Sequence, residues 1–359
     1  NRLHKESHQV LDLELMFESV TKYSTRLLTP NTIAEIIRKA FKLAQTEKTG
    51  AAFVELPENI AKMEIEDTPL RVKYPAQPEA ASDRVERAAQ IISEAKEPLI
   101  LAGNGVVRAK AWQQLHDFSK RLNIPVANTF MAKGVIPFAK NPMALGSVGL
   151  QAKDYINCGF DKADVIICVG YDLVEYHPYL WHPSRDRTII HVDSMPAEVD
   201  GYYQVEVGVV GDIKHSLLRL AELATPHQGH RMRPLRDAII KEMNTTREDE
   251  GFPVKPQKLI WDLRTALESE DICICDVGAH KMWMARMYRC DEPNTCLISN
   301  GFAAMGIALP GAIAAKLVHP DRKVVAVTGD AGFVMNAQEL ETAVRVGTPV
   351  VVLIWNDNG

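Results

Sequence analysis

Two carboxylates near the end of the chain, Asp330 and Asp357, stand twenty-seven positions apart, each just past an apolar run. Gly329-Asp330 closes the run Val324 to Thr328, and Asn356-Asp357-Asn358 follows the run Val350 to Trp355, with a helix-like stretch between. Read as strand, helix, strand, this is one right-handed crossover that brings both strand ends to the same edge of a sheet. If the strands are neighbours, the two acids lie about 5 Å apart laterally, a separation that suits two oxygen ligands on one hard divalent ion. Magnesium completes its shell with water and substrate phosphates, and open α/β sheets bind ligands beyond the carboxyl ends of their strands. Gly332 lets the backbone approach a phosphate, and the helix start behind Asp330 offers free N–H groups. The same residue types also serve an ordinary solvated turn.

The elements that must hold these acids recur along the chain. A helix is expected from Thr32 to about Ala44, capped by Asn31 or Thr32, and a strand from Ala51 to Leu56. Prolines 69, 75 and 78 then make a stiff linker. From Asp83 onward helices alternate with near-continuous apolar strands: Pro98 to Ala102, Val165 to Val169 and Thr188 to Asp193. Such runs read as a parallel sheet covered on both faces. A second boundary is expected near Pro226 to Pro256, carrying an exposed, charge-rich helix from about Met232 to Arg247. A helix begins near Pro256, strand Ile272 to Cys275 ends at Asp276-Val277-Gly278, and helices are expected over 303–317 and 336–346.

At 359 residues the chain has room for two or three domains. Hydrophobic residues make up 46% and charged residues 24%, a globular balance, and a net charge of −5 gives no basic field for nucleic acid. No apolar run is long enough to span a bilayer. None of the six cysteines forms a CxxC pair, and Cys273 and Cys275 alternate on one strand face, so core thiols in a reducing, cytoplasmic setting are expected. His177 and His182, five apart beside Trp181, fit no metal spacing and read as part of a loop over the central sheet. Gly103-Asn104-Gly105 begins a GxGxxG pattern, but Arg108 breaks it.

The unit from Gly329 to Asn358 resembles the metal-diphosphate motif of thiamine-diphosphate enzymes, with GDAG and NDN in the two conserved places. Val277 to Trp283 is similar to the VGxHxxW turn of the acetolactate synthase group, and Ser299 to Pro310 to its SGGxxxMGxxLP loop and helix. Val20-Thr21-Lys22 and Phe53 to Pro57 resemble the PxTK and FVxLP stretches of its first domain, so the likeness is collinear over essentially the whole chain.

The resemblance implies an α/β fold, a three-domain thiamine-diphosphate enzyme architecture with doubly wound, mainly parallel sheets, the first and last domains incomplete. Its parts would be the C-terminal part of the pyrimidine-binding domain at 1–66, a linker at 67–82, the central domain at 83–225, a linker at 226–255 and the N-terminal part of the diphosphate-binding domain at 256–359. It implies thiamine diphosphate and Mg2+ as cofactors and pyruvate as substrate, two pyruvates condensing to 2-acetolactate and CO2 through a carbanion held by the coenzyme. Asp330 and Asp357 would ligate the metal. Gly278, His280, Gly329, Ala331 and Gly332 would contact the diphosphate, the Ala303 carbonyl would accept from the pyrimidine, and Met305 would press between the two rings. Gln9 and Lys22 would line the substrate channel. Active sites shared between subunits of a homodimer or homotetramer are expected. The family's activating glutamate falls upstream of Asn1, so a chain of this length alone is expected to be inactive. The turn Tyr171 to Pro178 resembles the flavin-independent, catabolic members, which implies no FAD. Other readings of the same motifs are a different thiamine-diphosphate 2-keto acid decarboxylase or oxidase, or a non-catalytic nucleotide-binding module.

Overall fold

A computed structural model describes residues 10–66, 68–71, 73, 76–149, 155–228 and 232–356. It divides into two compact units, Asn1–Gln77 and Pro78–Gly359. In the first, strands β1 (Tyr23–Arg26) and β2 (Ala52–Glu55) pair in parallel across the helix Ile33–Gln45. That helix starts after a 3-10 turn, Pro30–Thr32, and Thr32 makes no side-chain cap; its hydroxyl donates to Thr29 O at 2.9 Å instead.

The second unit holds two parallel sheets. The larger contains β3 (Pro98–Ala102), β4 (Val126–Asn128), β5 (Ala144–Ser147), β6 (Val165–Val169), β7 (Thr188–Asp193) and β8 (Val205–Val210), in the order β5-β4-β3-β6-β7-β8. Every residue of β3, β4 and β6 is buried, the result of helices covering both faces. The smaller sheet contains β9 (Ile272–Cys275), β10 (Cys296–Ile298), β11 (Val324–Gly329) and β12 (Val351–Trp355), ordered β10-β9-β11-β12. Its side chains alternate with the pleat. Cys273, Cys275, Val325 and Val327 join the main core, while Ile272, Ile274, Val324 and Ala326 pack with Ala308 and Ala312 of the helix Ala308–Val318. The cysteines of β9 are therefore core residues on one face, and Cys168, Cys273, Cys275, Cys290 and Cys296 are buried free thiols.

Three expected elements differ. The helix expected over 303–317 begins only at Ala308, because Gly301, Ala303 and Gly306 adopt φ of 79°, 49° and 86°, which no right-handed helix tolerates. The helix expected over 336–346 is Glu339–Val346, preceded by a separate short helix Asp330–Met335. The helix expected to be exposed, Arg233–Asn244, buries Arg236, Ile239 and Met243. The Arg236 guanidinium donates to the carbonyls of Ala144 and Phe138 and lies 4.8 Å from the Phe138 ring, so the charge serves as an anchor against β5. Among the described residues no helix is long and apolar enough to cross a membrane.

Candidate active site

The chain order of the smaller sheet fixes where a ligand can sit. From β9 the chain moves outward to β10, then returns to the other side of β9 as β11. The connections leaving β9 and β11 thus diverge, opening a crevice at their carboxyl ends. Asp276-Val277-Gly278 leaves β9 there, and Gly329-Asp330 leaves β11. The register pairs Gly329 with Trp355, so the last residues of β11 and β12 are true neighbours. The adjacency expected for the segments bearing Asp330 and Asp357 is thereby met at Trp355; Asp357 itself, like Gln9, lies outside the described residues.

Asp276 organises this crevice. It is 1% exposed, and its carboxylate accepts from the N–H groups of Val277 (2.8 Å) and Gly306 (2.9 Å) and from the Thr328 hydroxyl (3.1 Å). The end of β9, the end of β11 and the loop bearing Met305 thus converge on one anion. Gly332 is buried against the same group: a Cβ there would meet Asp276 Oδ2 and Thr328 Oγ1 at 2.9 Å. The close approach that glycine permits at 332 is to this carboxylate.

His280 opens the helix Ala279–Met287 and is buried; a Cβ on Gly329 would lie 3.5 Å from its Cε1. Burial lowers its pKa, against the opposing pull of the Asp276 charge and a hydrogen bond to the Asp276 backbone. Its Nε2 has no hydrogen-bond partner among the described residues, and neither has Nε1 of Trp355, whose ring lies 6.2 Å away. Two buried polar atoms without partners, at one rim of the sheet, are what a polar ligand would satisfy. Gly278 has φ of 157° and a Cβ there would strike the His280 ring at 2.8 Å, so this turn requires glycine.

Asp330 is exposed at the start of its helix, and its Oδ1 accepts from Ala331 N–H at 2.7 Å. Met305 is 41% exposed, so it is no core methionine, and Phe302 beside it is 96% exposed. Ala303, which precedes Met305 by two, takes a positive φ that a non-glycine residue adopts under constraint. That constraint has identifiable sources: Asn336 Nδ2 donates to Gly306 O at 2.7 Å, and buried Lys281 donates to Ser299 O and Asn300 Oδ1, both at 2.9 Å. Lys22 belongs to the first unit, where its ammonium donates to the carbonyls of Thr46 (2.6 Å) and Lys48 (2.5 Å).

Asp276, Lys281, Thr328 and Asn336 were not singled out from sequence. Only Asp276 carried a signal, an acid closing an apolar strand as Asp330 does.

The central sheet has its own crevice between β3 and β6, and here it is filled by protein. A Cβ on Gly103 would come within 2.4 Å of Gly170 O. The Glu175 carboxylate, 4% exposed, accepts from Asn104 N–H (3.0 Å), Asp172 N–H (3.2 Å) and the Thr129 hydroxyl (2.5 Å). Burial nevertheless pushes its pKa up to about 7, outweighing these donors. Arg108, where the glycine pattern breaks, pairs with Asp172 at 3.1 Å.

Comparison with known proteins agrees with this arrangement. Residues 85–220 match the family described as thiamine pyrophosphate enzyme, central domain, and residues 276–359 match thiamine pyrophosphate enzyme, C-terminal TPP binding domain. The chain is 34% identical to an acetolactate synthase of Bacillus subtilis over 99% of its own length and 63% of the relative's. It is 33% identical to a catabolic acetolactate synthase of Raoultella terrigena, covering 98% of the chain and 64% of that protein. A probable acetolactate synthase large subunit of Methanocaldococcus jannaschii is 32% identical over 98% of the chain and 62% of its own length. The chain thus spans somewhat under two thirds of the curated relatives it matches. The crevice of the smaller sheet lies within the TPP-binding match; the chain carries two domains of the thiamine pyrophosphate enzyme type and is similar to acetolactate synthases over nearly its whole length.

Proposed function

We propose that the protein containing this chain is an acetolactate synthase, which joins two pyruvates to give 2-acetolactate and CO2. The observation that carries the reading is the juxtaposition of His280 with Gly329 at the diverging ends of β9 and β11, in a chain collinear with proteins of that name. When bound, thiamine diphosphate supplies the centre that stabilises the acyl carbanion.

The residues fit that coenzyme. Asp330 is exposed at the crevice and offers its carboxylate to Mg2+, with Asp357 as second ligand. In the present arrangement Asp330 holds the Ala331 N–H. Turned toward a metal, Asp330 would release that N–H, which with the N–H of Gly332 would be available to phosphate oxygens. Gly278 and the Nε2 of His280, without a partner among the described residues, would contact the same tail. The Asp276–Gly306 bond and the Lys281 anchors fix the loop that carries the Ala303 carbonyl and the Met305 side chain, which would set the angle between the coenzyme's rings. Gln9 and Lys22 would stand on the substrate side. The protein's contribution is then orientation and the exclusion of water.

We read the domain organisation as the end of a pyrimidine-binding domain at 1–66, a central domain at 83–225 and the start of a diphosphate-binding domain at 256–359, with active sites shared between subunits of a homo-oligomer in the cytoplasm. Carboxylate Glu175, seated in the crevice between β3 and β6, supports a central domain without flavin.

The test is product analysis of the full-length protein with pyruvate as sole substrate, thiamine diphosphate and Mg2+. Acetolactate and CO2 in equal amounts are expected. Acetaldehyde, or an acetyl product formed with oxygen uptake, would assign a decarboxylase or oxidase instead, and absence of magnesium-dependent coenzyme binding would leave only a non-catalytic module.

A further inference from the structure

Lys133 is a buried cation in an unusual setting. It follows the 3-10 turn Phe130–Ala132 and is 7% exposed. Its ammonium donates to Ala285 O at 2.8 Å and to Ser147 Oγ at 3.2 Å, both uncharged acceptors. It forms no ion pair among the described residues. A desolvated ammonium with only neutral acceptors is costly unless a counter-charge lies close.

The wall around it deepens the imbalance. A cavity of about 20 Å3 is bounded by Lys133, Arg286, Arg289, Asn128, Ser147 and Cys290, among others, with no carboxylate among its described lining residues. Arg286 is neutralised by Glu242, at 2.7 Å to both oxygens. Arg289 forms no ion pair among the described residues, though the Asp291 charge acts on it; its guanidinium lies over the Trp261 ring at 4.4 Å, with Arg247 over the same ring at 5.3 Å. Ser147 Oγ accepts from both Lys133 and Asn128 Nδ2, so its own proton is left to donate elsewhere. The space thus presents the Lys133 ammonium, the Arg289 guanidinium and a hydroxyl donor. At about 20 Å3 it exceeds the roughly 10–15 Å3 that one water requires and suits a single small anion.

We propose that this cavity is a halide site, in which one chloride ion is held between Lys133, Arg289 and the Ser147 hydroxyl. Because Lys133 also bonds Ala285 of the helix Ala279–Met287, the ion fastens the edge of the central sheet to the helix that carries His280. The one anion the wall itself can generate is the Cys290 thiolate. Burial opposes it, but the Cys296 thiol and the Lys133 charge more than compensate and bring the Cys290 pKa to about 7. Were that thiolate the counter-charge, chloride would have no role.

Thermal unfolding of the full-length protein separates these cases. Measured in sodium chloride, sodium bromide and sodium gluconate at equal ionic strength, the midpoint should rise saturably by about 2–4 °C in the halides only. Lys133→Met should abolish that increment, and Arg289→Gln should raise the halide concentration needed for half of it by about tenfold. Crystals soaked in bromide should give one anomalous peak in the cavity. Identical midpoints in chloride and gluconate, an unchanged halide response in Arg289→Gln, or a cavity holding water and no bromide signal would overturn the assignment. If Lys133→Met does not fold, the second variant and the bromide peak still decide.

Discussion

The Asp276 carboxylate accepts from the N–H of Gly306 at 2.9 Å across a gap of thirty residues, and this bond joins the end of β9 to the loop that presents Met305. The same carboxylate reaches the Thr328 hydroxyl at the end of β11. One buried acid thus sets the spacing of three segments that must meet a diphosphate coenzyme together.

Replacing Asp276 by Asn turns one acceptor oxygen into an N–H donor that would oppose the N–H of Gly306 or Val277. The loss of charge-assisted bonds in a buried place should cost about 2–3 kcal/mol of stability. Coenzyme affinity should fall as well, since the loop loses its tether. Urea unfolding and a coenzyme titration by tryptophan fluorescence would measure both; an unchanged affinity would show that the loop is held by other means.

Asp330→Asn should behave in the opposite manner. The side chain is exposed, so stability in the absence of ligands should change by no more than about 0.5 kcal/mol. Magnesium-dependent binding of thiamine diphosphate should weaken by at least ~10-fold, because a carboxylate ligand to a hard cation has been removed. Calorimetric titration with and without Mg2+ is the measurement, and equal affinities for both proteins would remove Asp330 from the metal site.

Glu175 makes a pH prediction with a defined sign. Its pKa rises from 4.5 in the unfolded chain to about 7 in the folded protein. The folded state therefore binds more protons between these values, and the contribution of this group to stability declines as pH rises from about 4.5 to 7. A Glu175→Gln variant carries no such dependence. Relative to the parent it should gain up to about 3 kcal/mol between pH 5 and pH 8. Parallel stability curves across this range would mean that the donors from Asn104, Asp172 and Thr129 hold the carboxylate ionised throughout.

Gly103→Ala tests the filled crevice of the central sheet. A methyl group 2.4 Å from the Gly170 carbonyl forces β3 and β6 apart at their ends. A destabilisation of about 1–3 kcal/mol is expected, with a lowered thermal midpoint. A neutral result would mean that the two turns are free to separate.

Much of this protein was legible in its residues. The apolar runs at 98–102, 165–169 and 324–328 appear as buried parallel strands, because a strand covered on both faces needs no polar alternation. The crossover from Gly329 to Trp355 was readable from the same pattern, since the handedness rule leaves one arrangement for it. Periodicity failed where backbone conformation overrode it. Residues 303–307 look helical in composition, yet the positive φ angles of Ala303 and Gly306 delay the helix to Ala308. Charge misled in the helix Arg233–Asn244, where Arg236 is buried because the carbonyls of Phe138 and Ala144, nearly a hundred positions away, receive it.

The sequence by itself determined the strand ends on which Asp276, Gly278 and Asp330 stand, because apolar runs, turn glycines and crossover handedness are local properties. Tertiary structure alone decided which of these groups meet. That Asp276 faces Gly306 and Thr328, that His280 lies beside Gly329, and that Glu175 fills the crevice of the central sheet all depend on the strand orders β10-β9-β11-β12 and β5-β4-β3-β6-β7-β8. Strand order is set by the packing of distant elements against one another, a physical fact no short stretch of the chain contains.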